Sequence, residues 1–152
     1  MFYIALIVLI FAGDLFIKNR VEKYIAIGRG EKEKRIAHGK LLLRKHHNQG
    51  MMLNMGEKKR PVVAAVSLTL TIILTLVFLL SLGHRGNRLL RLGLALLLGG
   101  SFSNTYDRLR RKYVVDYLSF PVKWKWFRDI VFNISDFCII IGALLAALGA
   151  TR

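Results

Sequence analysis

Twenty-one consecutive residues, Val62 to Leu82, carry no charge, with Lys58, Lys59, Arg60 and Pro61 before them and His84 and Arg85 after. As a helix rising about 1.5 Å per residue, this run reaches about 31 Å, the thickness of a hydrocarbon core. It predicts a transmembrane helix, and the rest of the composition agrees. Of 152 residues 54% are hydrophobic, with a mean hydropathy of +0.42, while 24 Lys+Arg against 9 Asp+Glu give a formal charge of +15. The charges cluster between apolar stretches, as in a membrane protein. A basic chain can bind nucleic acid, but that needs no such apolar run. The charge is read as facing an anionic lipid surface, with no nucleic-acid partner. The single cysteine, Cys138, excludes an intramolecular disulfide framework and a multi-thiolate metal site, and the four histidines form no HExxH pair.

Three further apolar segments fit the same reading: Phe2 to about Ile17, Leu89 to about Asn104, and Ile130 to Ala150. The first is not read as a signal peptide, since no basic region precedes it and no small-x-small cleavage site comes after it. The third span contains Gly93, Gly99, Gly100, Ser101 and Ser103, which allow close helix approach. The expected fold is an all-α membrane protein of one domain, residues 1–152. Four transmembrane helices (about 2–17, 62–82, 89–104 and 130–150) are joined by a long first connection, a short second and an intermediate third. Within the first, Lys40–Arg44 and Met51–Leu53 are expected as short strands in a β-type surface element. Trp124, Trp126 and Phe127, interleaved with Lys123, Lys125 and Arg128, form an expected interfacial anchor.

Carboxylates inside or beside apolar helices are costly and point to function. Asp14 and Lys18 stand one helical turn apart and are expected to pair, as a cap-like salt bridge in preference to a substrate contact. Adjacent Asp107 and Arg108 point in different directions and so need two sets of partners. Asp116, between Val114-Val115 and Tyr117-Leu118, and Asp136, early in the last span, return to one edge of the bundle if the last two helices are antiparallel. Two carboxylates sharing a low-dielectric site tend to hold one proton between them, so one can act as base while the other acts as acid. Cys138 is read as a packing residue and His46-His47 as a polar turn, since neighbouring strand residues face opposite ways.

Four blocks in order then carry a family resemblance: Asp14-Leu-Phe-Ile-Lys18; Asn48-Gln-Gly50 with Met51-Met-Leu; Gly99-Gly-Ser-Phe-Ser-Asn104-Thr-Tyr-Asp107-Arg108 leading into Val114-Val-Asp116; and Phe132-Asn133-Ile-Ser-Asp136. The chain resembles lipoprotein signal peptidase, also called signal peptidase II. The resemblance implies an intramembrane aspartic endopeptidase that removes the signal peptide of bacterial prolipoproteins, cutting before the diacylglyceryl-modified cysteine. It implies Asp116 and Asp136 as the catalytic pair, Asn104, Arg108 and Asn133 as supports of that site, and Asp14, Lys18 and Asn48 as substrate contacts; Asp107 is given a structural role. No metal and no cofactor are implied. The expected partners are the diacylglyceryl-modified prolipoprotein and anionic membrane lipids, and the chain is read as a monomer. Leu15, Met51–Leu53, Ser103 and Ser135 depart from the family's usual residues, which bears on substrate choice and helix packing more than on chemistry.

The resemblance implies a multi-pass protein of the bacterial inner membrane, with both termini in the cytoplasm and the active site toward the outer face. The cation count runs the other way. The first and third connections, with Arg108, carry 20 Lys+Arg, and the opposite side carries 4, so the positive-inside rule places the long connections in the cytoplasm. We adopt the topology of the resemblance, because the first connection, 43 residues from Lys18 to Arg60, approaches the length at which charge bias weakens. Two other readings are a divergent, non-catalytic lipid-binding paralogue and a small ion or proton transporter lined by Asp14, Asp107 and Asp136.

Overall fold

The structure, a computed structural model, describes residues 1–27, 33–36, 38–50, 59–83 and 87–151. Helix α1 (Phe2–Ile27) is followed by strands β1 (Glu33–Ile36) and β2 (Leu41–Asn48), then helices α2 (Arg60–Gly83) and α3 (Arg88–Arg110). Strand β3 (Val114–Ser119), the short helix α4 (Lys125–Arg128) and helix α5 (Ile134–Ala150) complete the order. The bundle is organised around α3, which packs against α1, α2 and α5. Phe78, Leu94, Ala95 and Leu98 form its buried centre.

Among the described residues, two helices are long and apolar enough to cross a membrane, Phe2–Lys23 within α1 and α2. Their outer faces are apolar. Helix α2 leaves Leu70, Ile72, Leu76, Leu79 and Leu80 each more than half accessible. A chain in water would bury such a row.

Helix α1 continues ten residues past the expected end at Ile17. Asp14 and Lys18 do not interrupt it, because they neutralise each other within one turn, and Val21 then anchors the extension in a second apolar cluster with Val115 and Tyr117. Helix α3 likewise passes Asn104 and ends at Arg110, so Asn104 lies inside the helix while Asp107 and Arg108 stand in its last turn. Helix α5 is shorter than its apolar run, because Asn133 caps it: the Asn133 side chain accepts from the Asp136 backbone N–H, and the Asp136 side chain accepts from the Asn133 N–H.

The β element is larger than expected and is built from two connections. The strand expected at Lys40–Arg44 is present and extends to Asn48; the one expected at Met51–Leu53 lies outside the described residues. Strand β3, which is not among the expected strands, pairs with β2 to give an antiparallel sheet in the order β1-β2-β3. Its Val-Val-Asp-Tyr-Leu-Ser pattern is strand-prone, and β2 supplies the partner edge. One extra residue of β2 bulges between Leu43 and His46, a feature that bends a strand and re-aims its later residues. Beyond α4 the chain comes back beside β3: Leu118 and Phe132 exchange backbone hydrogen bonds, each at 2.7 Å. That bridge sets the start of α5 against β3.

Candidate active site

The returning segment brings Asn133 and Asp136 to Asp116. The Asn133 side-chain amide donates to Asp116 Oδ1 at 2.6 Å, and the Asn133 backbone N–H donates to Asp136 Oδ2 at 2.9 Å. One residue therefore holds both carboxylates. Each has a second donor. Asn48, at the end of β2, donates to Asp116 Oδ2 at 3.2 Å, and Asn104, on α3, donates to Asp136 Oδ1 at 3.0 Å.

The three asparagines are held in one orientation by what their oxygens accept. Asn104 Oδ1 takes a bond from Lys18 Nζ at 2.9 Å, Asn133 Oδ1 from the Asp136 N–H at 2.9 Å, and Asn48 Oδ1 from the Gly50 N–H at 3.1 Å. With the oxygens occupied, each NH₂ faces a carboxylate. Asp116 is 2% exposed. Burial, and next the charge of Asp136, push the Asp116 carboxyl up to about 7, while its two asparagine donors act in the opposite direction. Raised this far, the carboxyl is able to hold a proton near neutral pH.

Arg108 approaches from the α3 side. Its guanidinium donates to the Gly50 carbonyl at 3.1 Å and to the Asn104 carbonyl at 3.4 Å, and its charge acts on Asp116, Asp136 and Asp107. Adjacent Asp107 turns away, as the sequence predicts. It meets Lys18 at 3.0 Å, Arg111 at 3.1 Å and the Val115 backbone N–H at 3.2 Å.

Asp14 and Lys18 do pair, at 2.9 Å, but in mid-helix, so the pair is no cap. Both side chains are 0% exposed, and the groups around them are protein groups. Asp14 accepts from Ser103 at 2.6 Å, Ser135 at 2.5 Å and Tyr117 at 2.7 Å, and Lys18 also donates to Ser103 at 3.0 Å. The network sets two carboxylates, Asp14 and Asp107, against two cations, Lys18 and Arg111. It lies directly behind Asn104, and Lys18 is its link to Asp136.

Tyr117 belongs to this network, and the sequence motifs do not mark it. The period of two along β3 could have: Tyr117 falls on the opposite face from Asp116, toward α1. Burial and the Asp14 charge push its hydroxyl well above the ordinary tyrosine value, so it remains a donor to Asp14. His46 and His47 lie on β2 and not in a turn. His47 is braced on two sides: its Nε2 meets Glu22 at 2.6 Å and its ring stacks on Tyr113. Of the expected aromatic anchor, Trp124 is 71% exposed, whereas Phe127 joins Phe120 and Phe132 in a ring cluster. The Trp126 side chain lies outside the described residues. Cys138 is partly buried on α5, as a small packing residue is.

The chain is similar to known proteins along almost its whole length. The family profile for signal peptidase (SPase) II matches residues 6–152. The lipoprotein signal peptidase of Lactiplantibacillus plantarum is 30% identical over 160 residues, covering 99% of this chain and 94% of that protein. Those of Clostridium acetobutylicum and Clostridium tetani are 31% and 34% identical, and the chain spans only 64% and 51% of their lengths. A bacterial membrane enzyme solved by the in meso method shares the fold with a TM-score of 0.77 at 22% identity, over 98% of this chain and 87% of that one. With the family profile matched from residue 6 to residue 152, the chain belongs to the signal peptidase II family.

Proposed function

We propose that the protein is an intramembrane aspartic endopeptidase that removes the signal peptide of bacterial prolipoproteins, cutting just before the diacylglyceryl-modified cysteine. Family membership supports the substrate class. The observation that carries the mechanism is the placement of Asp116 and Asp136 on one asparagine, Asn133, with Asp116 able to hold a proton near pH 7. Helices α1, α2, α3 and α5 are the four spans of this reading, with the sheet and the two aspartates at the outer face of the inner membrane.

In the resting dyad Asp116 carries the proton and Asp136 is ionised. Asp136 takes a proton from a water whose oxygen bonds to the scissile carbonyl carbon, and Asp116 gives its proton to the carbonyl oxygen. In the second step Asp116 takes back a hydroxyl proton while Asp136 protonates the leaving nitrogen as the C–N bond breaks. The dyad ends with the proton arrangement it began with. Arg108 offsets negative charge on the two aspartates, Asn104 and Asn48 fix their orientation, and Asp14 and Lys18 act on Asn104 from behind. These steps use only side chains and water.

Asp116→Asn and Asp136→Asn test this directly in a gel-shift assay on a lipidated precursor. Each is expected to lower cleavage by roughly 10²–10⁴-fold with the fold retained, and chelators are expected to leave the wild type unchanged. Cleavage at the wild-type rate by either variant removes the assignment.

A further inference from the structure

Away from the aspartates, the far end of the sheet holds a cavity of about 550 Å³ lined by Arg35, Arg44, Arg128 and Asp129, with Leu42 and Val122 at its apolar side. The volume lies within the roughly 300–1,000 Å³ range of small-molecule sites. Three separate segments supply the guanidiniums. Arg35 on β1 is registered opposite Leu42, two residues before Arg44 on β2, so these three share a face of the sheet. Arg128 closes the side from α4, and Arg44 Nη1 donates to its backbone carbonyl at 3.1 Å.

Three guanidiniums on one lining, beside the single carboxylate of Asp129, favour an anion among them. Guanidinium forks match phosphate oxygens, and one carboxylate beside three of them leaves the cavity positive while offering an acceptor for hydroxyl groups. The segment leading from the cavity into α4 is apolar and outward-facing. Val122, which lines the cavity, is 36% exposed, and Trp124, two residues further along the chain, is 71% exposed, an aliphatic and an indole side chain of the kind found at a membrane's headgroup level. A soluble phosphate satisfies the arginines but makes no use of these side chains.

We propose that the cavity binds the headgroup of an anionic phospholipid, a phosphodiester bearing hydroxyl groups, with Arg35, Arg44 and Arg128 on the phosphate and Asp129 on the hydroxyls. The proposal rests on the membrane reading of the helices but not on the aspartate chemistry. Binding and cleavage are therefore measured separately.

The test is a thermal-shift titration of the full chain in neutral detergent micelles with phosphatidylglycerol, phosphatidylcholine, phosphatidic acid, glycerol phosphate and inorganic phosphate. Phosphatidylglycerol is expected to stabilise saturably, phosphatidylcholine not at all, and the soluble phosphates at least about tenfold more weakly. Arg35→Gln and Arg128→Gln are each expected to weaken phosphatidylglycerol binding about tenfold. Asp129→Asn is expected to weaken phosphatidylglycerol while leaving phosphatidic acid unchanged. Both arginines are exposed, and a ligand-free unfolding midpoint equal to the wild type's in each variant reports that the fold is intact. Equal binding of phosphatidylcholine, equal binding of inorganic phosphate, or wild-type affinity in both arginine variants overturns the proposal. Lipid binding with no cleavage in the wild type would count against the peptidase reading alone.

Discussion

Each asparagine around the two aspartates works because something else fixes its oxygen. For Asn104 that group is Lys18, which also neutralises Asp14 and Asp107. Lys18→Met leaves two buried carboxylates facing one remaining cation and frees the Asn104 amide to turn. Losing one partner of a buried ion pair costs about 3–5 kcal/mol, so a clear fall in the unfolding midpoint is expected, together with a lower kcat at little-changed KM. Unaltered kcat in the folded fraction would disconnect Lys18 from Asp136. The Asp14–Lys18 pair is legible from its four-residue spacing. Its depth is not, because the groups that bury it, Ser103 and Ser135, come from 89 and 121 residues away along the chain, and nothing local in Asp14-Leu-Phe-Ile-Lys18 announces them.

Among the elements, the contact between α3 and α5 decides whether Asn104 meets Asp136. The two helices touch backbone to backbone: a Cβ added at Gly142 would lie 2.6 Å from Leu97 N and 2.7 Å from the Gly93 carbonyl oxygen. Gly142→Ala must push the helices apart, at a cost of about 1–3 kcal/mol. It is expected to reduce cleavage as well as resistance to denaturant, whereas Gly83→Ala, at a glycine with open space around it, changes neither. Equal effects of the two substitutions would contradict this role for the crossing. The small residues of α3 are readable as an invitation to close packing, but a single helix pattern does not say which neighbour accepts it. Strand β3 shows the same limit. Its alternation is short and its edge is satisfied by β2, from the other side of two helices, so the sheet emerges only when both connections meet.

For the whole molecule, the sheet, the aspartates and the basic cavity lie at one end, the end that carries most of the cations. Charge counting directs that end inward, and the proposed peptidase reading directs it outward. Within the first connection Lys18 pairs with Asp14 at 2.9 Å and Lys45 with Glu22 at 2.5 Å, cations that the counting rule treats as free. In a Cys138→Ser background, Lys123→Cys is expected to react with an impermeant thiol reagent on intact cells and Arg88→Cys only after permeabilisation; the reverse pattern would place the site inside. The proposed chemistry depends on one proton shared by Asp116 and Asp136. Infrared titration in micelles reads it as the carbonyl stretch of a protonated buried carboxyl. Because the Asp116 carboxyl is raised from 3.8 to about 7, the band is expected well below that value, to fade as pH rises through it, and to be missing in Asp116→Asn. A spectrum without a band titrating near 7, or one unchanged in Asp116→Asn, would contradict the shared proton.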